Sequence, residues 1–430
     1  MAELLIVSVV IEEPGAQEVS VCLPRSASFQ DLLTKVQAAV RCPIEPQVWY
    51  WDGSDRLLIS EEDEWRCAVR NGLRAVTVER SVDCRDFVFV GGRNQLADGP
   101  WEKSVRFWVN GQEVSVENPS PSASLMDFLR ENRGLWSVKV GCREGGCGAC
   151  TVALARNAGD KIETVPINSC LQKLCGLDGA HITTTEGLGT RSGVCHPLQQ
   201  AMADGNASQC GFCTPGMVMS LYAVLADKET PTARDMEQQL DGNLCRCTGY
   251  RPILDVASQF ADGGAKTCAG ARHPPGMLAA KDRPLYFVDG ETGAEWYQPL
   301  SMEQLQALRE GLPAAGKQVR VVMSATGDAL HSPTSTVTID ASRIPDLNFL
   351  ASDDRGIQVG AAVPLTALAA ALAESDHAVH RALAPAARTV GSVQLRSVST
   401  WAGNLMGARK QGVTSDLVPG LAALGATVGV

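Results

Sequence analysis

The sequence lacks a block of basic residues, a long apolar run and a basic stretch ahead of its first apolar segment, and each absence excludes something. Over 430 residues the formal net charge is −10 with six histidines, so the electrostatic footprint of a nucleic-acid or anionic-membrane binder is missing. No apolar run reaches the roughly eighteen residues that a spanning helix needs. The opening stretch MAELLIVSVVIEEPG places Glu3 where a secretory signal carries lysine or arginine, and its apolar residues end at Glu12-Glu13 rather than at a small-residue cleavage site. A cytoplasmic chain is therefore expected, with neither nucleic acid nor membrane as partner. Hydrophobic residues at 45% and charged residues at 20% are ordinary for a globular protein, and the length calls for two to four domains.

What is abundant is cysteine. There are fifteen, an odd number without an export signal, which argues against a disulfide framework and for ligation or redox chemistry. Eight fall in tight groups between Cys142 and Cys247. For most of the other seven (Cys22, Cys42, Cys67, Cys84, Cys175, Cys195 and Cys268) the expectation is a buried structural thiol.

Residues 1–82 read as a small α+β unit with apolar strands at 4–11, 19–23, 48–51 and 75–78. A helix at 29–40 opens at Ser28 and Asp31, and a shorter one runs over 65–69. Strand, strand, helix, strand, helix, strand is ubiquitin-like β-grasp order. The segment WYWDGSDRLLISEEDEW, with its acidic run Glu61 to Glu64, resembles the loop by which Phox/Bem-type domains clasp a lysine on a partner protein. A solvated acidic loop accounts for it equally well. Residues 83–104 read as a linker.

A second β-grasp order follows over 105–189. Strands 105–109 and 113–116 flank the turn Asn110-Gly111, and a helix over 125–132 lies between Ser124 and Gly134. A hairpin spans 151–154 and 162–166, and 181–185 closes the sheet. From 190 to 262 the period is helical, with segments at 197–204, 215–226, 233–240 and 252–261, predicting a four-helix bundle. Residues 263–284 read as a second linker, and 285–430 as a mixed α/β region.

The first cysteine group, GCREGGCGAC, has four residues between Cys142 and Cys147, two before Cys150 and nineteen before Cys170. This is plant-type [2Fe–2S] spacing. Four thiolates must converge on two irons while backbone amides bond the cluster sulfurs, and Gly141, Gly145, Gly146 and Gly148 let the chain fold tightly enough to do both. Zinc sites more often pair ligands as C-x2-C twice, so this spacing favours iron. In the second group, QCGFCTPG with NLCRCTGYRP, Cys210 and Cys213 precede Cys245 and Cys247 by thirty-one residues. Each pair stands just before a predicted helix start, whose partial positive charge suits thiolates. Spacing alone leaves zinc open here. A tandem of two iron–sulfur sites would make an electron path.

GCREGGCGACTV, SQCGFCTPGM and GNLCRCTGYRPIL together resemble the iron–sulfur portion of the molybdenum hydroxylases, the xanthine dehydrogenase and aldehyde oxidase family. The resemblance runs from about Val105 to the last residue. It implies that Cys142, Cys147, Cys150 and Cys170 hold one [2Fe–2S] cluster in a ferredoxin-like domain. Cys210, Cys213, Cys245 and Cys247 would hold a second in a helical domain, with Gln209 beside a molybdopterin that only another domain or chain can supply. It further implies an FAD domain at 285–430. There Ser324-Ala325-Thr326-Gly327 stands where the family has a glycine-rich phosphate turn, and Ser324 narrows the room for backbone approach. Thr400, Gly403 and Asn404 match a second flavin turn, and Ser415 with Asp416 a third contact.

The apolar, strand-like stretch LVPGLAALGATVGV is an unusual place for a finished domain to end, and the residues that would bind molybdopterin and choose a substrate are absent. No catalytic residue is assigned. The resemblance implies the electron-transfer portion of an oxidoreductase, working with a molybdenum-domain segment or subunit and as a homodimer. Two alternatives are a separate iron–sulfur subunit of a multi-subunit hydroxylase and a non-enzymatic scaffold with structural metal sites.

Overall fold

The computed structural model describes residues 101–159, 161–189, 194–264, 273–274, 276–277, 282–324, 326–329, 337–353, 356–411 and 414–428. Before them it describes the backbone of five strands. Two compact units emerge, Met1–Gly99 with Gln306–Val319, and Pro100–Leu305 with Arg320–Val430.

In the first unit, β1 (Leu4–Glu12) and β2 (Gln17–Pro24) form an antiparallel pair, β3 (Gln47–Trp51) pairs antiparallel with β4 (Arg56–Ile59), and β5 (Ala75–Glu79) lies between them, parallel to β1. The sheet order is β2-β1-β5-β3-β4. Strand β4 is additional to those expected. Its pattern RLLI is short, so it reads as loop until β3 supplies a pairing edge. The helices expected at 29–40 and 65–69 and the acidic run Glu61 to Glu64 lie outside the described residues.

The second unit begins with β6 (Ser104–Val109) and β7 (Gln112–Glu117), then β8 (Thr151–Ala158), β9 (Lys161–Asn168) and β10 (His181–Thr183). The order β7-β6-β10-β8-β9, with β10 parallel to β6 and antiparallel to β8, repeats strand for strand the topology of the first sheet. One face is built of fully buried Val105, Phe107, Val152, Ile167 and Ile182, against which Leu125 and Leu129 pack. Alternation along β6 explains this: Val105, Phe107 and Val109 point inward while Arg106 is exposed. The helix expected at 125–132 is divided. A single turn, α1 (Leu125–Asp127), is capped by Ser124, and Phe128–Asn132 widens into a π-helical turn.

Four helices follow: α2 (Pro197–Asp204), α3 (Thr214–Asp227), α4 (Ala233–Gln238) and α5 (Arg251–Ser258). Helix α3 is apolar on every side, with each residue from Gly216 to Val224 buried. It packs against β8 and β9 as well as the neighbouring helices, and Ala153 of β8 belongs to the helical core. A helix that is apolar all round needs covering on all sides.

The C-terminal region adds β11 (Leu285–Val288), β12 (Glu295–Gln298), α6 (Met302–Ala314), β13 (Val319–Val322) and β14 (Val337–Asp340) in the order β11-β12-β14-β13, then the ribbon β15 (Leu350–Asp353) and β16 (Gly356–Val359). Helices α7 (Leu365–Glu374), α8 (Ala378–Thr389), α9 (Val393–Arg396), α10 (Trp401–Gln411) and α11 (Val418–Ala423) complete it. The stretch LVPGLAALGATVGV thus contains a helix rather than the strand expected from its apolarity. Pro419 fits the first helical turn and the Leu-Ala-Ala that follows has high helix propensity. The inner ends of both predicted linkers are pinned together: Glu102 N–H donates to Pro284 C=O at 2.8 Å, Tyr286 N–H returns to Glu102 C=O at 3.0 Å, and Arg283 pairs with nearly buried Asp178. Among the described residues no helix is long and apolar enough to cross a membrane.

Candidate iron–sulfur and flavin sites

The loop between α1 and β8 carries Cys142, Cys147 and Cys150, and Cys170 follows β9. Backbone amides turn toward the sulfurs, with Glu144 N–H donating to Cys142 Sγ at 3.4 Å and Gly146 N–H at 3.3 Å. Further amides reach Cys147 from Ala149 and Cys170 from Gly145. Gly145 and Gly148 adopt left-handed backbone (φ 81° and 66°), as does Arg143 (φ 61°). The Arg143 guanidinium grips Asp127 with two nitrogens, at 3.0 and 2.9 Å, while Ser124 Oγ donates to the same carboxylate at 2.7 Å. Burial opposes ionisation of Asp127, but Arg143 and Ser124 outweigh it and hold its acidity above the usual carboxylate range.

The four thiols associate in two pairs, Cys142 with Cys147 and Cys150 with Cys170. In each pair one member is driven toward the thiolate and the other away from it. The Cys170 thiol lowers Cys150 to about 7, against its burial. Cys170 is pushed up, chiefly by Cys150 and then by burial. Burial also opposes ionisation of Cys142, yet the amides of Glu144 and Gly146 and the Cys147 thiol pull it down.

The second group sits at two helix starts, as its sequence predicts. Cys213 is the residue before α3, and Cys245 and Cys247 lie in the loop before α5, entered through Tyr250 in left-handed backbone (φ 69°). The thiols again pair, Cys210 with Cys247 and Cys213 with Cys245. Cys245 Sγ lies 3.0 Å from Thr248 Oγ1, and Cys245 N–H donates to the Tyr250 hydroxyl at 2.9 Å. Burial, then the Cys245 thiol, pushes Cys213 up to about 12. Cys210 and Cys247 are exposed, Cys213 is half-buried and Cys245 buried. Gln209 is exposed beside Cys210, and Phe212 and Leu244 are exposed apolar side chains on the same two loops, 47% and 62% accessible. Among the described residues no three histidine, cysteine or acidic side chains form a closed group. The thiols stand as pairs, and two pairs at each site give the four thiolates that a [2Fe–2S] cluster takes.

Of the remaining described cysteines, Cys175 is fully buried, its thiol held up by burial and facing Pro119 C=O and Ser120 C=O at 3.7 Å. Cys195 departs from the buried expectation: it is exposed, in the stretch leading into α2.

A seam joining the two groups was not visible in the sequence. Leu244 N–H donates to Cys147 C=O at 2.9 Å, and Asn243 Nδ2 donates to Gly148 C=O at 3.0 Å. Asn243 Oδ1 accepts from Ser220 Oγ at 2.6 Å and from Gln394 Nε2 at 2.8 Å, so helix α9 closes the same network. Arg396 pairs with Asp241 at 2.8 Å. The backbones meet so closely that a Cβ on Gly148 would lie 2.2 Å from Gly242 O.

The three expected flavin turns meet at the start of α10. Thr326 Oγ1 lies 3.0 Å from Ser399 Oγ and 3.5 Å from Ser324 Oγ, Thr400 Oγ1 accepts from Gly403 N–H at 3.0 Å, and Ser415 Oγ donates to Asn404 Oδ1 at 2.6 Å. Gly327 has open space around it and Asp416 is exposed. Ala325 lies outside the described residues. Hydroxyls gathered at a helix N-terminus beside an open glycine form a fitting cradle for an anionic group.

Three family models match the chain: a 2Fe-2S iron-sulfur cluster binding domain over residues 107–175, a [2Fe-2S] binding domain over 184–258, and an FAD binding domain in molybdopterin dehydrogenase over 291–430. The chain is therefore an iron–sulfur flavoprotein assembly with two [2Fe–2S] domains and one FAD domain. Among its relatives, abscisic-aldehyde oxidase of Arabidopsis thaliana is 34% identical over 75% of this chain and 27% of its own length. Xanthine dehydrogenase of Emericella nidulans is 32% identical over 76% and 28%, and xanthine dehydrogenase/oxidase of Rattus norvegicus is 34% identical over 74% and 27%. The chain belongs to the molybdenum hydroxylase family. It spans a little over a quarter of the length of these relatives.

Proposed function

We propose that this chain is the electron-relay portion of a xanthine dehydrogenase or aldehyde oxidase-like enzyme. Cys142, Cys147, Cys150 and Cys170 hold one [2Fe–2S] cluster, and Cys210, Cys213, Cys245 and Cys247 the other. The turns at 324–327, 400–404 and 415–416 hold FAD. When bound, the clusters act as one-electron carriers and the flavin as the junction between one- and two-electron chemistry.

The observation that carries this reading is the association of the eight thiols in four pairs, two on each side of one hydrogen-bonded seam. The chain's own part in relay is to fix the two ligand loops against each other. Cys147 C=O accepts from Leu244 N–H, one residue from Cys245, so a single hydrogen bond separates the two sets of ligand residues. Amides of Glu144, Gly146 and Phe212 and the Thr248 hydroxyl are aimed at sulfur and offset its negative charge. On the outer side, exposed Cys210, Cys247, Gln209, Phe212 and Leu244 form the face for a molybdopterin-bearing domain or subunit, which supplies the electrons. The strand orders β2-β1-β5-β3-β4 and β7-β6-β10-β8-β9 support two β-grasp domains, at 1–82 and 105–189. The helices α2–α5 support a helical cluster domain at 190–262, and 285–430 forms the flavin domain.

The test is iron, acid-labile sulfide and flavin analysis of the purified chain. About four irons per chain, two distinct [2Fe–2S] electron paramagnetic resonance signals after reduction and one flavin are expected. A colourless protein that contains zinc overturns the proposal.

A further inference from the structure

The geometry points to Arg143 and Asp127 as a compensated charge pair that keeps either charge alone from shifting the redox poise of the first cluster. This rests on the reading that Cys142, Cys147, Cys150 and Cys170 hold iron. Arg143 lies inside the ligand loop, one residue after Cys142, in left-handed backbone that costs a side-chain-bearing residue energy. Its guanidinium is fixed by two hydrogen bonds to a carboxylate that itself accepts from Ser124 Oγ, on a residue whose backbone N–H donates back to Ser124 Oγ across the single turn α1. The pair stands with Lys173 and Cys170 around an open cavity of about 220 Å³. Arg130 acts on the Asp127 side and Glu131 on the Arg143 side.

Stability alone gives little reason for the arrangement. The Arg143 side chain is 55% exposed, so solvent and salt screen the pair and limit what its bidentate geometry adds to stability. A residue in a strained conformation held rigid beside a thiolate quartet has an electrostatic consequence instead. Reduction of a cluster adds one negative charge. A cation nearby favours the reduced state and an anion disfavours it. While Arg143 and Asp127 remain paired, their unit charges largely cancel at the loop. Removing one side leaves the other uncompensated, and the two removals act in opposite directions.

The test is a redox titration of the full chain followed by electron paramagnetic resonance, with the second cluster as internal reference. Arg143→Gln leaves Asp127 unpaired and makes the first cluster harder to reduce. Asp127→Asn leaves Arg143 unpaired and makes it easier. Each shift is expected to reach about tenfold in the one-electron equilibrium constant, 59 mV, and to shrink as salt rises. Arg143→Lys, which keeps the charge, stays near wild type, and the second cluster does not move in any variant. A merely structural clamp gives a different result, with both neutralising variants moving the same way or neither moving. That outcome overturns the inference. If Asp127→Asn fails to retain the cluster, the contrast between Arg143→Gln and Arg143→Lys decides it: equal potentials overturn the inference. A wild-type chain with no [2Fe–2S] signal defeats the functional reading beneath it, and a wild-type chain with both signals isolates any failure to the charge pair.

Discussion

Gly148→Ala should part the two ligand loops, and the size of the effect follows from the distances at the seam. The new Cβ would stand 2.2 Å from Gly242 O, 2.7 Å from Asn243 Nδ2 and 3.0 Å from Asn243 Cα. Two of those three atoms are backbone and cannot swing aside. Holding alanine in the left-handed region at φ 66° costs about 1 kcal/mol, and forcing a methyl into a closed contact adds about 1–3 kcal/mol. If Asn243 and Leu244 retreat to make room, the bonds to Gly148 C=O and Cys147 C=O are lost at about 1 kcal/mol each. A destabilisation of about 4–6 kcal/mol is expected, a large share of the roughly 5–15 kcal/mol available to a domain. At about 2–4 °C per kcal/mol this lowers the melting temperature by about 10–20 °C. Gly146→Ala is the control, two residues away in the same loop, with nothing within 4 Å of its Cβ, and it should change stability by less than about 0.5 kcal/mol. Thermal melts of both variants, followed by tryptophan fluorescence and by visible cluster absorbance, make the comparison. If Gly148→Ala melts within about 2 °C of Gly146→Ala, the close approach across the seam is wrong.

Asn243→Ala removes the donor to Gly148 C=O and the acceptor for Ser220 and Gln394 at a site 4% exposed. It should cost about 2–3 kcal/mol in denaturant unfolding, against little change for an exposed substitution such as Arg234→Ala. Asp340 is buried, and desolvation raises its carboxyl above the usual range despite bonds from Ser342 and Gln298. The folded chain therefore holds the Asp340 proton more tightly than the unfolded chain. Stability falls as pH rises from the unfolded value, about 3.9, through the folded one. Asp340→Asn should accordingly be more stable than wild type at pH 7, with the difference vanishing below about pH 4. Urea midpoints measured across pH check the sign, and an equal difference at pH 3.5 and pH 7 would refute it.

The two [2Fe–2S] domains were legible because cysteine spacing follows the chemistry of thiolates closing on metal, and most strands of the two sheets because turn residues separate short alternating segments, β4 being the one missed. Helix starts at Thr214 and Arg251 were marked by the prolines that follow them. The seam was not legible: Asn243 stands in the motif GNLCRCTGYRPIL, but Gln394 lies 151 residues away and nothing local joins the two. The glycine before Asn243 was the available signal: a Cβ on Gly242 would meet Gln394 Oε1, so a bare backbone there marks a close approach. Similarly, Ser415 lies farther along the chain from Asn404 than a local turn needs, and tertiary packing restores the contact at 2.6 Å. The apolar stretch at 418–423 gave no period to separate helix from strand, and Pro419 was the deciding residue.

Helix α3, covered on one side by β8 and β9 and on the others by its helical neighbours, has a consequence for any attempt to dissect the molecule. A peptide limited to residues 190–262 would expose the part of α3 that faces the sheet, and a peptide ending at 189 would leave the outer face of β8 and β9 bare. The residue bounds that separate the two cluster domains in sequence are therefore not bounds of cooperativity. Excised alone, each half should aggregate or populate a loosely packed state. A piece limited to 101–264 would keep that contact but lose Leu285, Phe287 and Trp296 from the core around β6 and Gln394 from the seam, so it should melt below the full chain. An engineer who wishes to move one redox centre to another scaffold has to move both.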